Sequence, residues 1–172
     1  TSEDTGVSVT DEAAWTMLDD HLTSVIGSEF TVFHELVSEY VHIDVYMFQP
    51  TALRNYYTLV THGMSDRAMT VPKGAEDARH AELMLCLPPD WPLDDDKKFR
   101  MEENFWPIRW LKYLARFPHV YNTWLGYGHT VPNGDPAQPF APNTKLCCAL
   151  LSDPCLFGDG LAPLTVAADR II

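Results

Sequence analysis

Basic residues are missing from the first 50 positions. Arg54 is the first Lys or Arg in the chain, and ten acids precede it. Positive charge is scarce throughout: 12 Lys and Arg stand against 24 Asp and Glu, a net charge of −12. A protein that binds nucleic acid by neutralising phosphates needs the opposite sign. Docking on an anionic membrane surface is disfavoured for the same reason. No apolar run reaches the roughly 18 residues of a membrane-spanning helix. Residues 1–10 (TSEDTGVSVT) lack the basic start and apolar stretch of a signal peptide. Cysteine is sparse, with four in 172 residues and no CxxC pair, so no disulfide scaffold is read. Cys147 and Cys148 are adjacent and on a strand face opposite ways, which suits neither joint metal ligation nor a local disulfide. Cys86 and Cys147 sit in apolar runs and read as buried core thiols. A reducing, cytoplasmic setting follows. The chain also lacks GxGxxG, GxxxxGK[ST], GxSxG and HExxH, which removes the standard nucleotide cradles, the hydrolase elbow and the zinc-protease helix.

What is present suits one domain with a real core, since 46% of residues are apolar. Residues 1–9 read as a loose tail and 10–172 as a single domain. Thr10 caps a first helix, with Asp11 and Glu12 in its first turn. Trp15, Leu18, Leu22, Val25 and Ile26 recur at helical spacing, and Gly27 ends it. Strands are expected over Phe30 to Val37, over Val41 to Phe48 with period-2 alternation, over Asn55 to Thr61 and over Arg79 to Leu87. Their short connections suggest an antiparallel meander. Asp94, Asp95 and Asp96 favour a helix N-terminus, and helical pattern runs to about Phe117. Pro107 splits this stretch into two pieces and starts the second. Trp106, Trp110 and Leu114 share one face; Arg109, Lys112 and Arg116 share another, which reads as a solvated face or an anion site. Residues 126–143 hold four Pro and three Gly and read as one long ordered loop. Strands follow over Lys145 to Leu151 and Leu164 to Ala168. The fold class is α+β: a mostly antiparallel or mixed sheet of about six strands, flanked by an N-terminal helix and a central helical stretch.

Two constellations bear on chemistry. His42 and Asp44 project from one strand face, and His80 lies on a nearby strand; two His and a carboxylate form a recognised metal set. A polar strand face turned to water explains them equally well. Trp124, Tyr127 and His129 surround the long loop and read as a binding surface or as the loop's own anchor. Cys155 has no partner implied by sequence and reads as a loop residue.

Several runs then occur in a telling order. These are Val41 to Pro50 (VHIDVYMFQP), Asn55 to Ser65 (NYYTLVTHGMS), Glu82 to Pro88 (ELMLCLP), Trp106-Pro107 with Leu114 to Arg116, Gly128 to Thr130, and Leu151 to Pro154. Together they resemble the suppressor-of-fused family, in its bacterial branch, over roughly residues 25 to 170. The resemblance implies a compact α+β domain and no enzyme activity; no cofactor and no metal are expected. The animal member is a two-part clamp that holds a zinc-finger transcription factor of Hedgehog signalling, taking a short peptide as an added strand. Only its N-terminal type of domain is matched here, and Gly128 stands where that protein carries an acid before the His. Family members usually continue past the position of Ile172, so the C-terminal end reads as trimmed or divergent.

Bacterial members have been proposed as immunity proteins of toxin systems. An acidic inhibitor gains steering against a basic toxin, and the acid-only stretch before Arg54 is the candidate face. Asp19, Asp20, Glu35 and Glu39 are its expected partner-binding residues, with Trp124, Tyr127 and His129 beside them. The expected partner is thus a basic protein, not nucleic acid or membrane. Two other readings stand beside it: a metal-dependent or small-molecule enzyme using His42, Asp44 and His80, and a scaffold that pairs through a sheet edge.

Overall fold

The computed structural model describes residues 12–34, 41–167 and 170–172. The expected Thr10 cap, Asp11, Glu35 and Glu39 lie outside these residues. Helix α1 (Glu12–Val25) buries Ala14, Leu18 and Leu22 at the spacing read from the sequence. Gly27 follows at φ 134°, a conformation that stops the helix.

Strands β1 (Phe30–Phe33), β2 (Asp44–Phe48), β3 (Tyr57–His62) and β4 (Met84–Leu87) form one antiparallel sheet in the order β1-β2-β3-β4. The meander is therefore present. β2, β3 and β4 are shorter than the apolar pattern suggested, with Val41 to Ile43 and Arg79 to Leu83 outside the ladder, and the expected end of the first strand at Val37 lies outside the described residues.

The alternation expected along β2 is not an inside–outside alternation. All five residues are buried, because both faces of the sheet are covered. On one face Tyr46, Phe48 and Val60 pack under Leu18 and Leu22 of α1 and Ile26 just past its end. On the other, Val45, Met47, Tyr57 and Leu59 meet Phe99, Ile108 and Leu111. These last three come from α2 (Asp96–Phe99) and α3 (Glu102–Tyr121).

Asp95 caps α2, accepting from the Lys97 and Lys98 N–H groups at 3.1 Å each. The break between the helices falls at Arg100 and Met101, not at Pro107. Pro107 sits inside α3, where it cannot donate to the Glu103 carbonyl one turn earlier. Asn143 Nδ2 fills the gap, donating to that carbonyl at 2.9 Å.

The opposite side of α3 (Trp106, Trp110, Leu114, Ala115) packs into a third cluster with Val41, Ile43, Leu125, Val131 and Phe140. Part of that cluster comes from a segment expected to be loop throughout. Thr130–Pro132 is strand β5, paired with β6 (Cys148–Leu150). A second two-stranded ribbon, β7 (Thr165–Ala167) with β8 (Arg170–Ile171), lies near α1. Cys86 and Cys147 are half-buried rather than buried, because each lies near an edge of its ladder. No helix among the described residues is long and apolar enough to cross a membrane.

Candidate functional site

The turn that follows β3 gathers the densest polar network. Gly63 takes φ 116°, and a Cβ there would lie 2.1 Å from the His42 carbonyl oxygen, so only glycine fits. The Gly63, Met64 and Ser65 N–H groups all donate to the Glu82 carboxylate, at 3.0, 3.3 and 2.9 Å. Thr61 Oγ1 donates to it at 2.6 Å. Burial pushes the Glu82 carboxyl above its ordinary value, and these hydrogen bonds oppose that rise.

Asp66 accepts from Trp15 Nε1 at 2.9 and 2.8 Å and pairs with Arg170 at 3.0 Å. Thr61, His62 and Ser65 are almost wholly enclosed. This network knits α1, β3, the segment before β4 and β8 together.

Asp19, expected on a partner-binding face, points partly inward. Its Oδ1 lies 3.0 Å from Nε2 of buried His62, and it accepts a hydrogen bond from Tyr46. Burial, with Asp19 second, pushes the Tyr46 hydroxyl pKa up. Asp20 is exposed on α1.

His42 and Asp44 do come together, with Nε2 and Oδ1 3.0 Å apart. The second histidine on that carboxylate is His34, Nδ1 to Oδ2 at 3.0 Å. His80 instead donates from Nδ1 to the Ser65 carbonyl at 2.8 Å. The expected grouping of His42, Asp44 and His80 is thus not assembled as read. Among the described residues no group of three His, Cys, Asp or Glu is arranged to hold a metal.

The loop aromatics divide. Trp124 packs edge-on to His129 with centroids 4.5 Å apart, and Trp124 also contacts the α3 core. Gly126 N–H donates to His129 Nδ1 at 3.3 Å. Tyr127 stands apart, 76% exposed.

Two cavities lie elsewhere, beside β1, which is an edge strand among the described residues, and sequence reasoning missed them. One, of about 650 Å³, runs from Thr31 and Met47 to Leu93, Phe99 and Arg100. The other, about 440 Å³, lies between Phe33 and α3, where Arg109, Lys112, Arg116 and Tyr121 line it. Phe33 and Phe105 line both, with ring centroids 5.7 Å apart, so the two cavities adjoin at this pair. Both volumes fall in the range of ligand-sized sites. The only sequence signal was the basic stripe on α3, whose Lys112 ammonium lies 5.2 Å from the Phe33 ring centroid.

A family model described as Suppressor of fused protein matches residues 39–172. The chain belongs to the suppressor of fused family. No curated protein matches it, and no solved structure does. The family is a regulatory, protein-binding one, and protein interaction is the role that membership gives the chain. The run Asn55 to Ser65, part of the resemblance, supplies β3 and the Glu82-braced turn. Gly128, at φ 79°, has open space where a side chain would stand. Among the described residues, Leu146, Leu150 and Tyr127 stand exposed around the β5–β6 ribbon.

Proposed function

We propose that the chain acts by binding a basic protein and works as an inhibitor of immunity type, without catalysis. The observation that carries the binding role is the family match over residues 39–172. The basic partner is supported by the net charge of −12 and by the ten acids that precede Arg54. A reducing, cytoplasmic setting suits four thiols that all stand free. Asp20, Glu35 and Glu39 belong to the steering face. Asp19 contributes through the part of its carboxylate that stays exposed.

The test is capture on immobilised chain from lysate of the source organism, at moderate and at high salt, read by mass spectrometry. One stoichiometric basic protein, retained at moderate salt and lost at high salt, is expected. Changing Asp20, Glu35 and Glu39 to Lys should then slow its association by roughly tenfold or more at low ionic strength, with the gap closing as salt is added. An on-rate that ignores the three reversals would end the steering argument.

A further inference from the structure

We infer that the cavity at Thr31 receives one arginine side chain of the protein partner, with its methylene stem against phenylalanine rings and its guanidinium on Asp94 and Asp96. The inference rests on the basic-partner reading and gives that partner an anchor point.

The interior of the cavity is apolar. Phe33, Phe99 and Phe105 line it, and their ring centroids lie 5.4 to 5.9 Å from one another. Met47 and Leu93, both buried, tie it to the core cluster beneath. These five side chains come from β1, β2, the approach to α2, α2 and α3, so the wall is set by the packing of sheet and helices rather than by one loop. At about 650 Å³ the cavity has room for a long side chain and the backbone on either side of it.

The charge sits at the rim. Asp94 and Asp96 line the same cavity, and both are exposed. Asp94 Oδ2 accepts from the Tyr57 hydroxyl at 3.1 Å, a neutral donor that holds the carboxylate in place without cancelling its charge. Asp95, between the two, is taken by the α2 cap and by Lys98 at 3.5 Å. The Asp96 carboxylate has no hydrogen bond or ion pair among the described residues. Arg100 lines the cavity too and pairs with neither acid among the described residues, so two carboxylates face one cation. The adjoining cavity has the opposite sign in its charged lining, which is Arg109, Lys112 and Arg116. An incoming cation is therefore held on the Thr31 side of the Phe33–Phe105 pair.

Arginine fits this combination better than lysine. Its guanidinium is planar and weakly hydrated, packs on aromatic rings, and meets a carboxylate with two parallel N–H groups. An ammonium is a compact, strongly hydrated charge and gains less from the rings. The stem of either residue covers apolar surface. Arginine seated in a pocket is also a common carrier of interface energy.

Methionine-methyl NMR on the full chain tests this, with acetyl-Ala-Arg-Ala-amide as the probe and its Lys and Glu analogues beside it. Met47 lines the cavity and reports; Met64, enclosed in another cluster, is the internal control. The arginine peptide should move the Met47 signal saturably, at roughly millimolar concentration, and leave Met64 still. The lysine peptide should bind roughly threefold or more weakly, and the glutamate peptide should give no response. Asp94→Asn with Asp96→Asn keeps an acceptor for Tyr57 and should weaken the arginine response roughly tenfold. Thr31→Trp, which enters the cavity from an exposed position of β1, should abolish it. Melting curves establish that each variant is folded, and Thr31→Trp keeps the test open should the double variant unfold. No saturable Met47 shift up to about 50 mM, an equal response to the glutamate peptide, or responses in the variants within about twofold of the parent would overturn the inference. The basic protein captured from lysate should leave the double Asn variant roughly tenfold faster, whereas reversals on the N-terminal acidic face act on its arrival. If that protein is captured and leaves the variant no faster, the pocket is excluded while the basic-partner reading stands.

Discussion

His119 near the end of α3 is a buried base. Burial, and after it the charge of Arg67, pushes its pKa below the ordinary 6.5, against a hydrogen bond at the Met64 backbone. The unfolded chain therefore binds this proton more tightly than the folded one. Its contribution to stability is complete above about pH 6.5 and is lost as pH falls below that value. The urea midpoint should drop between about pH 7.5 and about pH 5.5, and His119→Gln should shrink the drop. An equal drop in the variant would assign the acid sensitivity to other groups. His119 was not singled out from sequence because nothing in its neighbours along the chain reveals burial. Glu82 was legible as part of a motif, yet its task of receiving three backbone N–H groups required the turn after β3 to be folded beneath it.

Helix α3 shows how an element can survive a residue that should break it. Pro107 forfeits one hydrogen bond, and Asn143, 40 residues past the exposed carbonyl at Glu103, restores it. Asn143→Ala should destabilise the chain by about 1 kcal/mol through the lost hydrogen bond. In a Pro107→Ala background, where residue 107 regains its N–H, the same change should cost close to nothing, a coupling that a double-mutant cycle in denaturant reads directly. Additive effects would show that the Asn143 contact is incidental.

The same pair explains what the sequence could and could not disclose at this scale. α1 and the β1–β4 meander were legible because local periodicity carries them. The helix break was misplaced because a proline announces a missing donor, while its replacement lies far along the chain. Strand β5 was hidden because three residues between prolines and glycines carry too little pattern to display a period. The two adjoining cavities were hidden for a topological reason. Phe33 and Phe105 are distant in sequence, and only the placement of β1 at the sheet edge brings them together.

Over the whole molecule, a net charge of −12 works against compactness. Added salt screens that repulsion over about 10 Å at 0.1 M, while enclosed pairs such as Asp66 with Arg170 feel it far less. The melting temperature should therefore rise as sodium chloride is taken from about 0.02 M to about 0.5 M. A fall would mean that surface ion pairs outweigh the general repulsion. The charge asymmetry was fully legible from composition, and it bears on encounter with a partner. Where the partner is gripped is set by shape, and composition is silent on that.

The pairing of Asp66 with Arg170 also sets a schedule for synthesis. The two are separated by 104 positions. At roughly 5–20 residues per second, a ribosome takes about 5–20 s to travel from one to the other. Throughout that interval β2 and β3 can already pair, while Asp66 is held only by the Trp15 indole from the helix made before it. The nascent domain thus carries, at this turn, a carboxylate without its cationic partner Arg170 until translation reaches the β8 segment.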